Sequence, residues 1–322
     1  MKFNVIIGNP PYQSNTGGGT VIKRGKPIYQ EFVTLATSLN PEDIIMIIPA
    51  RWYIDDKMED FRRKITGFGI KTIKDYDNSQ MVFDYIMLAG GVSILHLSKS
   101  SNPAYFTFIS ARDNSVTLMK PGENYTVNRH TGLLPIVAKV RASELATFDQ
   151  YVYPSDAFGI PTYTRGKEIQ DIEHPVRCLT SEGFGYIRNE DVKRNFDKLN
   201  HYKVIIGYKV PGSDFTKNDG KFRVITAPKI LMQNEVCTQT YVVVCCTTSY
   251  ETALYIKEYL KTKFARAMIL SKISSTTISS SRFENLPNIL GKTLPEDAHL
   301  YGLFNLTKDE INYIENLIRE MQ

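Results

Sequence analysis

The chain has 322 residues, 42% hydrophobic and 23% charged, the balance of an ordinary globular protein with room for about two domains. Its net charge of +5 permits a polyanionic partner without demanding one. No apolar run approaches the ~20 residues that span a bilayer, and no secretory leader opens the sequence, so a cytoplasmic location is expected.

In chain order, Phe3–Ile7 is a short, β-branched, apolar run, which predicts a strand buried on both faces of a parallel sheet. Gly8 ends it, and Pro10 and Pro11 cannot extend the ladder because proline fixes φ and lacks a donor. The prolines predict a stiff turn at the strand's carboxyl end, where open α/β sheets place their ligands. Asn9 and Tyr12 are then an amide and an aromatic ring on a rigid lip. The Gly17-Gly18-Gly19 stretch lacks the spacing of a phosphate cradle and is expected as a mobile loop over the site.

Pro27 starts a helix with Ile28, Phe32, Leu35, Ala36 and Leu39 on one apolar face. Ile44–Ile48, Ile70–Tyr76 and Val92–Leu97 read as strands, with a helix through Met58, Phe61 and Ile65. Residues 1–99 therefore read as part of a doubly wound α/β sheet. Lys99–Pro103 is the expected boundary, and residues 100–322 form a second, α+β region. There Tyr105–Ile109, Val116–Met119, Lys203–Ile206 and Tyr241–Cys246 are strand-like. Thr252–Leu270 reads as one helix, and Thr307–Glu310 is a capping box opening the last.

Cations cluster near the long helix. Lys257, Lys261, Lys263, Arg266, Lys272 and Arg282 are the candidate phosphate contacts, with an ordinary solvated helix face as the alternative. Arg51 and Trp52, at the end of the second strand, are candidates for the wall of a pocket. Cys178, Cys237, Cys245 and Cys246 lack Cys-x-x-Cys spacing and read as reduced core residues. The five histidines lack paired spacing, so no metal is expected. Asp191-Val192-Lys193 has the tail of a nuclease pattern without the preceding acidic residue, and no Gly-x-Ser-x-Gly elbow is present.

Asn9-Pro10-Pro11-Tyr12 resembles motif IV of the amino-methyltransferases that act on adenine in DNA. Further stretches fit the type IIG-like restriction–modification adenine methylases. They are Ala157-Phe158-Gly159-Ile160, Thr240-Tyr241, Tyr259–Phe264 and Leu300-Tyr301-Gly302 with the helix after it. The resemblance implies a partial Rossmann-like catalytic domain in residues 1–99 and a target-recognition, DNA-binding domain in 100–322. It implies methyl transfer from S-adenosylmethionine to the exocyclic amine of an adenine flipped out of double-stranded DNA. Asn9 and Pro10 would accept hydrogen bonds from that amine, Pro11 would stiffen the turn, and Tyr12 would stack on the base.

The resemblance also exposes a gap. The glycine-rich motif I that binds S-adenosylmethionine is missing, and the chain starts at motif IV. At least two parallel strands, the cofactor pocket and the N-terminal helices are then expected from a second polypeptide, leaving Val5–Ile7 as a bare edge. A non-catalytic DNA-specificity module and a truncated remnant are the alternatives. The strand expected at motif VIII, Gly91–His96, has no second aromatic. His96 is its substitute, or a structural residue.

Overall fold

The computed structural model describes residues 3–14, 26–85, 88, 90–102, 104–210, 220–273, 277–291 and 293–321. The chain divides into two compact units, Met1–Thr131 and Gly132–Gln322. The expected boundary at 99 is therefore too early. The reason is that the two strands that follow it pair into the first sheet.

The first unit contains β1 (Val5–Gly8), α1 (Tyr29–Ser38), β2 (Asp43–Pro49), α2 (Glu59–Phe68) and β3 (Ile70–Tyr76). It continues with β4 (Val92–Ser98), β5 (Phe106–Ser110) and β6 (Val116–Met119). The six strands form one mixed sheet in the order β1-β2-β4-β3-β5-β6. β1 runs parallel to β2, and β3 parallel to β5. β4 lies antiparallel between β2 and β3. A short excursion fits β4 there, and Gly91 makes its entry possible. Gly91 holds φ at +73°, and a Cβ on it would lie 2.0 Å from the Tyr76 carbonyl oxygen.

The alternation along each strand shows a one-sided sheet. Ile44, Met46 and Ile48 of β2, Leu95 and Leu97 of β4, Ile73 of β3, and Phe106 and Phe108 of β5 are buried on one face. Tyr29, Val33 and Ala36 of α1, with Phe61 and Ile65 of α2, belong to the same core. The strand registers place the alternate residues together on the opposite, open face. Ile45, Ile47, Ile94 and Ile109 there are only partly covered, while Val5, Ile7, Val116 and Leu118 are exposed. Ile7 is 75% and Leu118 69% exposed.

β1 is thus a one-sided edge strand rather than one buried on both faces. It pairs with β2 alone among the described residues. The apolar stripe of α1 also differs from expectation. Tyr29, Val33 and Ala36 face the core, while Phe32, Leu35 and Leu39 are exposed. The helix carries two apolar stripes, and packing against β2 selects the one that sequence spacing alone did not.

The second unit begins with α3 (Leu134–Ala142). β7 (Pro175–Thr180), β8 (Gly183–Arg188), β9 (Tyr202–Gly207), β10 (Lys229–Leu231), β11 (Glu235–Cys237) and β12 (Tyr241–Thr247) form two three-stranded sheets, β11-β7-β8 and β10-β9-β12. The helices α4 (Tyr250–Lys261), α5 (Lys263–Leu270), α6 (Asp297–Leu303) and α7 (Lys308–Leu317) follow. The single helix expected over 252–270 breaks at Thr262. That residue turns extended and caps α5 by accepting from the Ala265 amide at 3.1 Å. The capping box of α7 forms as predicted, with both the Thr307 and Glu310 side chains bonded. All four cysteines are free, with Cys178, Cys237 and Cys245 buried.

Candidate active site

The carboxyl end of β1 runs directly into Asn9-Pro10-Pro11-Tyr12. Pro10 is buried and holds the turn, while Asn9 and Pro11 are exposed. Among the described residues no group bonds the Asn9 side chain or the Pro10 carbonyl. The far side of the turn is tied down. The Ile28 amide donates to the Tyr12 carbonyl at 3.2 Å, and the Ser14 amide to the Lys26 carbonyl at 2.9 Å. These bonds close the base of segment 15–25, where the expected mobile glycine loop lies outside the described residues.

Tyr12 is half-buried, with its ring against the core that contains Tyr29 and Trp52. Its hydroxyl is buried without a partner among the described residues. Burial raises its pKa, which keeps the phenol neutral. The same holds for Tyr29, whose pKa is driven up by burial and whose hydroxyl also lacks a partner. The Tyr12 ring therefore ties the motif turn to the core of the first unit.

β2 ends at the short turn Ala50–Tyr53, at the same edge of the sheet as the motif. Arg51 is exposed there. Trp52 is wholly buried, meeting Tyr53 and Phe61 edge-on with ring centroids 4.8 and 5.8 Å away. It is a core residue and does not line a channel. Sequence patterning missed what Tyr53 does. Its hydroxyl donates to Asp75 Oδ1 at 2.9 Å, and Arg129 Nη2 donates to the same oxygen at 2.7 Å. Burial pushes the Asp75 carboxyl up, and the Arg129 charge with these two bonds pulls it back. The one hint in sequence was an acid on the inward phase of β3.

His96 lies at the other end of its strand pair. Its Nε2 is 2.8 Å from Asp43 Oδ1, at the amino end of β2. That position is remote from the motif turn and fits the structural reading of this histidine.

The candidate phosphate contacts fare unevenly. Arg266 is 0% exposed. It donates to the carbonyls of Lys261, Thr262 and Arg319, the last at 2.6 Å. Burial lowers its pKa to about 10. It ties α4, α5 and the C-terminal segment together and is not a DNA contact. Arg282 is also buried and donates to the Lys272 carbonyl at 2.5 Å. Lys263 is largely covered, paired with Glu315 and, at 2.9 Å, with Glu320. Lys257 and Lys261 share Glu258, each at 3.1 Å, and Lys272 pairs with Glu284 at 2.5 Å. The expected cationic face is mostly consumed internally. Arg51 is the candidate cation left exposed.

No group of three or more potential ligands that could hold a metal ion occurs among the described residues. No helix among them is long and apolar enough to cross a membrane.

Residues 1–83 match the model of the Eco57I restriction-modification methylase family. An uncharacterized adenine-specific methylase of Mycoplasma pneumoniae is 40% identical over 95 residues. That match covers 29% of this chain and 22% of the relative, so the chain spans about a fifth of that protein's length. Among solved structures, the type IIG restriction endonuclease BpuSI aligns over 97% of this chain and 48% of its own, with 12% identity and a TM-score of 0.37. A DrdV–DNA complex aligns over 89% of this chain and 43% of its own, with 10% identity and a TM-score of 0.41. Residues 1–83 are thus similar to a restriction-modification methylase family, and a 95-residue stretch of the chain to an adenine-specific methylase.

Proposed function

We propose that this chain carries the acceptor side of an adenine-specific DNA methyltransferase, with the motif turn as the site where the target amine is held. The observation that carries the reading is exposed Asn9 at the carboxyl end of β1, with neither its side chain nor the Pro10 carbonyl bonded among the described residues. The exocyclic amine of adenine is a poor nucleophile because its lone pair is delocalised into the ring. Two acceptors on its N–H groups draw the nitrogen toward tetrahedral geometry. They bind best as positive charge develops during attack on a methyl donor, which is differential transition-state binding. Pro11 keeps the turn stiff, and Tyr12 offers a ring for an adenine taken out of the duplex.

S-adenosylmethionine is the methyl donor implied by the family match. The residues present do not form its cradle. No described strand leads into a glycine-rich turn and helix, and β1, which carries the site, pairs with β2 alone among the described residues. Among the described residues nothing replaces that half, so in this reading the donor site draws on a component outside them, such as a second polypeptide.

For DNA, the reading takes Arg51, exposed in the turn after β2, as the contact to a phosphate or base. Lys257, Lys261 and Lys272 keep a secondary role, because surface ion pairs are worth only ~0–1 kcal/mol and exchange readily for phosphate. The missing donor cradle favours one second reading, a DNA-specificity module that does not itself methylate.

The test is transfer of a labelled methyl group from S-adenosylmethionine to unmethylated duplex DNA, followed by nucleoside analysis. The chain is assayed alone and with a complementing cofactor half. N6-methyladenine formed only in the mixture supports the proposal. DNA binding without methylation in either case favours the specificity module.

A further inference from the structure

We propose that the turn Ala50–Tyr53 is a fixed platform for Arg51. Tyr53, Asp75 and Arg129 are its positioning residues, holding the backbone for contact with a DNA phosphate, a role that rests on the reading above for its ligand.

The turn follows β2 at the carboxyl edge of the sheet. Ala50, Trp52 and Tyr53 are buried, and each is bonded into a different part of the first unit. The Ala50 amide donates to the carbonyl of Gly91, just before β4, at 3.1 Å. The Trp52 carbonyl accepts from Arg62 Nη1 of α2 at 2.9 Å, and Arg62 Nε donates to the Asn124 carbonyl at 2.9 Å. The Tyr53 carbonyl accepts from the Val127 amide at 2.9 Å. The Tyr53 hydroxyl shares Asp75 Oδ1 with Arg129, whose guanidinium lies 5.4 Å from the centre of the Tyr53 ring. Segment 124–129 thus straps the turn in place through Asn124, Val127 and Arg129. Arg51 is the exception. It is exposed, and no group bonds or pairs with its side chain among the described residues.

Asp75 and Arg129 are a poor source of net stability, because desolvating two charges offsets their attraction. What a shared, buried carboxylate oxygen supplies is direction. It sets where the Tyr53 hydroxyl points, and with it the backbone two residues after Arg51. A guanidinium on a fixed backbone gives up only its own side-chain freedom when it meets a phosphate, whereas one on a mobile loop also gives up that of the loop. The cation is also felt on the motif side. Burial raises the Tyr29 pKa and the Arg51 charge opposes that rise, and Tyr29 follows Ile28, whose amide ties down the motif turn. A phosphate on Arg51 is then held at the same edge of the sheet as Asn9.

The test titrates the full 322-residue protein with a short labelled duplex of mixed sequence over a series of salt concentrations. Arg51→Ala should reduce the slope of log affinity against log salt by about 0.9, one phosphate contact. Asp75→Asn strands a buried guanidinium and lowers stability, so Tyr53→Phe is the deciding variant, since it removes one hydroxyl and keeps the ring. Tyr53→Phe should weaken binding by at least about twofold in the wild-type background and leave it unchanged beside Arg51→Ala, the non-additivity of coupled neighbours. Ile73→Val, in the core on the same strand as Asp75, controls for lost stability and should bind like wild type. Equal weakening in both backgrounds marks a merely structural hydroxyl and overturns the inference. So does a Tyr53→Phe protein that binds like wild type, an unchanged salt slope for Arg51→Ala, or a chain that does not bind the duplex. Methyl transfer in the complemented mixture judges the enzyme separately. Coupling without methylation counts against the enzyme and leaves the platform standing, and methylation with additive variants does the reverse.

Discussion

Ile94 and Leu95 are neighbours in β4, yet Leu95 lies at 0% exposure under α1 and α2 while Ile94 looks out from an uncovered face. The same split runs through β2, where Ile44, Met46 and Ile48 are buried and Ile45 and Ile47 are not. Both faces are built from aliphatic residues, so composition does not separate them. Covering helices do. The difference teaches that the helices packed on the sheet, and not residue type, decide which of its faces is closed, while the candidate site stands at the carboxyl end of β1.

That comparison can be broken by mutation. The largest expected effect is Leu95→Ala, which should cost about 2–5 kcal/mol in urea unfolding because it opens a cavity. Ile94→Ala should cost under about 1 kcal/mol in the chain alone, since water already reaches it. Equal losses at the two positions would mean that both faces are closed in solution.

Next comes Asp75, the ionic group on the closed side. Asp75→Asn leaves the Arg129 guanidinium without its counter-charge and should cost about 3 kcal/mol, read in the same denaturation experiment. A neutral outcome would place Arg129 in solvent.

The second unit offers a parallel contrast between a buried cation and surface ones. Arg266→Ala should lower stability by about 2 kcal/mol, because several carbonyls lose their donor. Lys257→Ala should stay within about 0.5 kcal/mol. If Arg266→Ala instead left stability intact and weakened DNA binding, its assignment as a structural residue would be wrong.

The smallest effect lies on the open face. The hydrogen bond from His96 holds the Asp43 carboxyl below its usual range. The unfolded chain therefore binds the proton more readily than the folded one. The bond's contribution is fully present above the unfolded carboxylate pKa, near ~4, and fades as pH falls through the lowered folded value. Asp43 is partly exposed, so the gain is under ~0.5 kcal/mol. Asp43→Asn should flatten the stability profile in that acidic window, and an unchanged slope would show the pair is not formed.

Much of this was legible in the residues. The β-branched run, the double proline and the capping box are local signals, and each element formed where its chemistry put it. The α/β class followed from their alternation. What escaped depends on pairing between distant segments. Nothing near Phe106 or Val116 says which sheet they join, so the unit boundary fell too early. α1 carries two apolar stripes, and only its partner β2 chooses between them. Arg266 and Arg282 look like surface cations in a polar neighbourhood, because the carbonyls that bury them come from residues up to the C-terminal segment. Trp52 beside Arg51 read as a pocket wall, yet Phe61, nine residues on, covers it. At the site, Asn9 and Pro10 stand out by motif, while Tyr53, Asp75 and Arg129 form a network that only the folded chain assembles.

The central claim is that the Asn9 side-chain oxygen holds the target amine. The most direct test is single-turnover methylation by the complemented protein with Asn9→Ala. The site is exposed, so the variant should melt like wild type. The account predicts a rate lowered by about 10²–10³, the loss of one preorganised acceptor at a developing charge, with DNA affinity nearly unchanged. Methylation at the wild-type rate would contradict it.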